Sequence, residues 1–201
     1  MASKTEICNM AISHLGEGKE IANIDTEQSE EASACRRFYD TARDATLRDF
    51  PWTFATKIVS LSLIEEDPTE EWEYSYRYPS DCVRAKRILS GVRNDTRQSR
   101  SPYRILKDDA ARIIYSDEEN AKLEYTERVE DPSFYPADFE IAFSFRLAAY
   151  IAPRLTKGDP FKLRNEALNM YNFEISRAKA TLLNEEQPDE EVDSELVRMR
   201  E

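Results

Sequence analysis

Apolar residues recur at helical spacing through Ile7, Met10, Ala11 and Leu15, behind a Ser3-Lys4-Thr5-Glu6 stretch that has the form of a capping box, and Gly16 supplies a stop. The pattern predicts a first helix. A second is predicted where Glu27, Glu30 and Glu31 crowd a start and complement the helix dipole, with Ala32, Cys35, Phe38, Tyr39, Ala42 and Thr46 carrying the stripe towards Pro51. From Thr53 to Thr126 the period shortens to that of a strand. Segments 57–64 (KIVSLSLI) and 71–78 (EWEYSYRY) alternate, the latter placing Trp72, Tyr74, Tyr76 and Tyr78 on one face. The acidic EEDPTE between them reads as a turn. VRAKRIL, YRILK, ARIIYS and AKLEYTE predict four further short strands. Gly91 to Pro102, rich in turn formers and arginine, fits a long exposed hairpin loop.

Pro136 opens a third helix, ADFEIAFSFRLAAYIA, which Pro153 is expected to end. Its Phe139, Ile141, Phe143, Phe145, Leu147, Tyr150 and Ile151 cannot share one face, so it should be enclosed on most sides, centrally in a bundle or against another subunit. Pro160 opens a fourth helix with a stripe of Phe161, Leu168, Tyr171, Ile175, Ala178 and Leu182, ended by Gln187-Pro188. Beyond it Val192, Leu196 and Met199 recur at i, i+4 and i+7, the spacing of a short helix that forms in a partner's groove. The whole reads as an α+β chain. A four-helix bundle formed by the N- and C-terminal helix pairs (1–51 and 135–185) carries an inserted antiparallel β-rich subdomain of about six short strands (52–134), then an acidic C-terminal tail (186–201).

Composition changes the picture in several respects. With 201 residues, 40% of them hydrophobic and only four glycines, the chain is long and ordered enough to bury a core without disulfides or metal. No run of about 18 apolar residues and no signal-peptide pattern occur, so synthesis in a cytosol without a membrane anchor is expected. Cys8, Cys35 and Cys82 are odd in number, widely spaced and apolar in context, the pattern of buried free thiols. The net charge of −12 opposes a protein that grips nucleic acid by releasing counterions. That charge is segregated. Arg84 to Arg112 holds nine cations against three acids, a net +6, and Asn184 to Glu201 holds eight acids against two cations, a net −6.

Candidate chemistry is sparse. His14 is the only histidine, so any Ser-His or Cys-His mechanism must use it, yet no nucleophile motif accompanies it. The four glycines build no phosphate cradle, and neither cofactor nor metal is expected. Asp108-Asp109 and Asp117-Glu118-Glu119 could supply a carboxylate pair, but both fall where solvated turns are predicted. Arg93, Arg97, Arg100 and Arg104 could meet phosphate, or an acidic protein surface on a neighbouring copy or partner. Phe50, Pro51, Trp52 and Phe54 concentrate aromatic surface where the second helix hands over to the first strand, and they read as a core seam between bundle and β-block.

Several stretches, in order, resemble the tail tubular protein A family, the head-to-tail adaptors of short-tailed bacteriophages. The matching elements are Asn9 with Leu15-Gly16, the Asp25 loop, Phe50-Pro51-Trp52-Phe54-Ala55, Tyr78-Pro79-Asp81-Cys82, and Leu147-Ala148 with Ile151-Ala152-Pro153. Together they span most of residues 5 to 160. The resemblance implies a structural, non-enzymatic virion protein: a homo-oligomeric ring, usually of twelve copies, between portal protein and tail nozzle protein, through which DNA passes without specific binding. The arginine-rich loop and acidic tail lie outside the resemblance. On charge and pattern alone, Val192, Leu196 and Met199 are assigned to portal docking, and Arg93, Arg97, Arg100 and Arg104 to an inter-subunit or nozzle contact. Two other classes compete: a carboxylate-based hydrolase of cell-wall or capsule polysaccharide in the tail, and a DNA-binding module using the +6 segment.

Overall fold

The computed structural model describes residues 3–16, 18–92, 100–107, 111–156 and 158–185, with side chains as far as Thr181. The capping box forms: Ser3 Oγ accepts from the Glu6 amide at 3.1 Å, and the Ser3 amide donates to Glu6 Oε2 at 2.6 Å, starting helix α1 (Lys4–His14). Ser29 caps α2 (Glu30–Asp49), which ends as Phe50 turns extended ahead of Pro51. The loop between them is tied down by Asn9, whose side chain donates to the Ile21 carbonyl at 3.0 Å and accepts from the Ile21 amide at 2.8 Å. Arg36 adds bonds to the Ile24 and Glu27 carbonyls.

Helix α3 (Ala137–Leu155) runs two residues past Pro153, where termination was predicted. In the last turn a proline interrupts little of the ladder, and the Thr156 amide still reaches the Ala152 carbonyl at 3.1 Å. Helix α4 is Pro160–Glu185. α3 packs against α1, α2 and α4, so its own chain encloses Phe139, Phe143, Leu147 and Ile151. On α4, Ala167, Tyr171, Ile175 and Ala178 form the buried stripe, but Phe161 is 66% exposed. At 3.6 residues per turn it points roughly 85° away from that stripe.

Seven strands form two antiparallel sheets: β1 (Thr56–Ser60), β7 (Lys122–Glu127) and β4 (Cys82–Leu89) in that order, and β2 (Leu63–Thr69), β3 (Trp72–Arg77), β6 (Arg112–Ser116) and β5 (Tyr103–Lys107). The extra strand corrects the expected count of about six. The run predicted as one strand over 57–64 bends at Leu61-Ser62 and serves both sheets: the Leu61 amide donates to Ala121, and the Arg77 amide to Ser62. β2 then continues through the acidic stretch read as a turn. It can do so because it is an edge strand whose carboxylates stay in water, while a bulge with Asp67 at φ +48° accommodates Pro68. Leu61, Tyr76, Cys82, Ile88, Ile114, Ala121, Leu123 and Tyr125 make one core between the sheets, distinct from the helical core.

Candidate functional site

The stretch joining α2 to β1 is a buried aromatic seam. Phe50 and Trp52 are enclosed, Phe54 is half-buried and Pro51 faces solvent. Trp52 meets Phe50 edge-on at a centroid distance of 4.8 Å and Phe139 of α3 at 5.1 Å. Its indole N–H donates to the Thr46 carbonyl at 3.1 Å. Phe54 contacts Phe139 and Tyr135 at 5.0 and 5.9 Å. Tyr135 belongs to the segment that leaves the strands for α3, and its hydroxyl donates to the Val129 carbonyl at 2.8 Å. Both crossings between helices and sheets therefore meet in one cluster.

Immediately beyond the seam, Lys57 Nζ donates to Asp81 Oδ2 at 2.9 Å and to Glu127 Oε1 at 2.8 Å, while the Tyr125 hydroxyl lies 3.0 Å from both Asp81 oxygens. Lys57, Asp81 and Tyr125 line a cleft of about 430 Å³ with Arg77, Tyr78 and Ser80. The Glu127 and Asp81 carboxylates hold the Lys57 ammonium charged well above its ordinary range. Burial opposes the charge on Asp81, but Lys57 and Tyr125 outweigh it and leave the carboxyl more acidic than usual. Burial and the neighbouring Asp81 push the Tyr125 phenol up. Each polar group is engaged by the others, so the arrangement clamps β1, β7 and the turn before β4. It also joins Lys57, just after the Phe50-to-Ala55 element, to Asp81 in Tyr78-Pro79-Asp81-Cys82. Twenty-four residues separate the pair, so only topology brings them together.

A second polar group was not anticipated from sequence. Arg146 of α3 donates to Asp49 Oδ2 and, at 2.8 Å, to the Tyr171 hydroxyl, which itself donates to Asp49 at 2.8 Å. The guanidinium also lies over the Tyr171 ring, 4.8 Å from its centroid. α2, α3 and α4 are thus tied together beside the aromatic seam. An arginine interrupting the apolar α3 was the available signal.

Among the described residues the remaining candidates do not come together in one cluster. His14 Nε2 lies 2.9 Å from Ser144 Oγ, but that hydroxyl is fully buried and donates to the Ile141 carbonyl at 2.8 Å, so substrate cannot reach it. The ring stacks on Phe145 at 3.8 Å, and burial lowers its affinity for a proton. Asp117 accepts from the Glu73 amide at 3.2 Å and Glu118 from the Ser101 hydroxyl at 2.5 Å, both as turn ties, and Glu119 is exposed. Cys8, Cys35 and Cys82 are buried free thiols. Among the described residues no cluster of three His, Cys, Asp or Glu could hold a metal, and no helix is long and apolar enough to cross a membrane.

Arg100 is exposed, and Arg104 lies on β5 with Nη1 3.7 Å from Glu71. Arg93, Arg97, Asp108, Asp109, Val192, Leu196 and Met199 lie outside the described residues. No protein-family model and no curated protein sequence matches the chain.

Proposed function

We propose that the chain is a structural virion protein, a head-to-tail adaptor that assembles as a ring on the portal of a short-tailed bacteriophage, extends the DNA channel and offers a platform to the tail nozzle. In this reading the helices act as one four-helix bundle and the β-part as a rigid arm inserted into it. The observation that carries it is the meeting of two of the quoted stretches at one joint: Phe50-to-Ala55 packs on Phe139 of α3 and so fixes the arm to the helices, and Asp81 of Tyr78-to-Cys82 is clamped by Lys57 just beyond it. Residues concentrated at such a joint serve geometry, which a ring needs because the angle between the parts of each copy sets how it meets the next.

A hydrolase reading finds less support. A general acid needs a carboxyl held above its ordinary range, whereas Glu27, Glu31, Asp81 and Asp131 are all held below it. The deciding experiment is the mass of the purified protein alone and mixed with portal protein. A ring-sized complex supports the adaptor; a protein that remains monomeric and ignores portal overturns it. Removal of residues 186–201 is expected to weaken portal attachment without unfolding the chain.

A further inference from the structure

The four-stranded sheet ends in two open edges of opposite charge. β2 carries Glu65, Glu66 and Asp67, whereas β5 carries Lys107 and Arg104, the latter also 3.7 Å from Glu71 of its own copy, and is preceded by Arg100. Among the described residues each of these strands pairs with one neighbour only. Ser101 bridges Ile88 just before β5, and beyond that bridge no other described strand pairs with the outer edge of β5. Both edges also expose apolar side chains: Leu63 and Ile64 are each 49% exposed on β2, and Ile105 and Leu106 are 37% and 41% exposed on β5. An uncovered edge with exposed apolar residues is a template for another strand.

We propose that β2 of one copy pairs with β5 of a second copy, so that the four-stranded sheets join edge to edge around the assembly. Three features select a second copy as the occupant. The acidic and basic edges complement one another, and like edges repel, which specifies a head-to-tail contact over a two-fold dimer. All pairings in the order β2-β3-β6-β5 are antiparallel, so the two outer strands run in opposite directions. Copies in the same orientation therefore meet antiparallel, continuing the alternation of the sheet. Finally, Asp67 at φ +48° and Pro68, which lacks an N–H, close the second half of the β2 edge. Pairing is confined to Leu63–Glu66, which fixes the register and keeps the contact short. Strand spacing makes each copy advance the joined sheet by about 19 Å.

The test is a charge exchange. Glu65→Lys/Glu66→Lys and Arg104→Glu/Lys107→Glu proteins are compared with wild type by sedimentation in concentrated, low-salt solution, with thermal melts to establish folding. Wild type is expected to associate in a salt-sensitive manner and each variant to lose association, while an equimolar mixture of the two variants regains it. A wild type that stays monomeric, variants that associate like wild type, or a folded mixture that stays apart would each overturn edge pairing. The inference rests on reading the chain as a self-assembling adaptor, yet the two fail separately. Variants that join portal as well as wild type does remove edge pairing alone. Edge pairing in a protein that ignores portal removes the adaptor alone.

Discussion

Trp52 hydrogen-bonds the carbonyl of Thr46, six residues back, so the indole folds the chain leaving α2 against the helix it has just left. Packing on Phe50, Phe54 and Phe139 then holds it there. Trp52→Ala is expected to cost about 3–5 kcal/mol through the cavity it leaves. Trp52→Phe, which keeps most of the apolar contact but loses the donor, should cost about 1–2 kcal/mol. Chemical denaturation measures both; equal losses would show that the apolar contact contributes nothing, and a Trp52→Phe loss near zero that the hydrogen bond contributes nothing.

Asp81 is more acidic in the folded chain than when unfolded, so its contribution to stability is fully present above the ordinary carboxylate value near 3.9 and is lost as pH falls through the lower folded value. Asp81→Asn should therefore destabilise at neutral pH and converge on wild type in acid. Denaturation midpoints of both proteins across that range test it; a constant difference would contradict the clamp.

His14 titrates in the opposite circumstance, because burial disfavours its charged form. Its favourable share is present above the unfolded value of about 6.5 and is lost as pH falls through the lower folded value. Since it is the chain's only histidine, its NMR titration is unambiguous, and His14→Gln should flatten this part of the pH–stability curve.

Arg146→Met would leave the Asp49 carboxylate and Tyr171 hydroxyl without their cation. The expected loss is about 1–2 kcal/mol, moderated because Asp49 remains partly in water. Tyr171→Phe in the same background should add less than it does alone, and a double-mutant cycle reads that coupling.

The three thiols should be silent towards an aqueous thiol reagent until the chain unfolds. Contact with Cys35 and burial raise Cys8, and burial raises Cys82. Rapid labelling of the native protein would show that the cores open readily.

Much of the helical part was legible because its signals are local. Ser3 and Glu6, the Glu30-Glu31 start and the Pro160 start lie within a turn of the elements they govern, whereas the Ser29 cap was not read. The sheets were read less well for an equally physical reason. Alternation carries through Leu61 and Ser62 without a break, so nothing in 57–64 marks the point where hydrogen bonding passes from β7 to β3. Nor does a run of acids stop a strand whose side chains stay solvated. Lys57, Asp81 and Glu127 were hidden for a further reason: ordinary surface charges become a cluster only when three distant segments converge.

The seam also decides which motions are available. The β-part is attached to the helices by two chain crossings, one through Trp52 and Phe54 and one through Tyr135, and these touch each other over Phe139. A body hung from one strap can swivel in any direction, whereas one hung from two adjoining straps can swing only about the line through both. Arg84 on the Arg48 carbonyl and Arg128 on Asp44 bridge the sheet to α2 beside those straps and resist that swing, so a load on the sheets is passed on to α2.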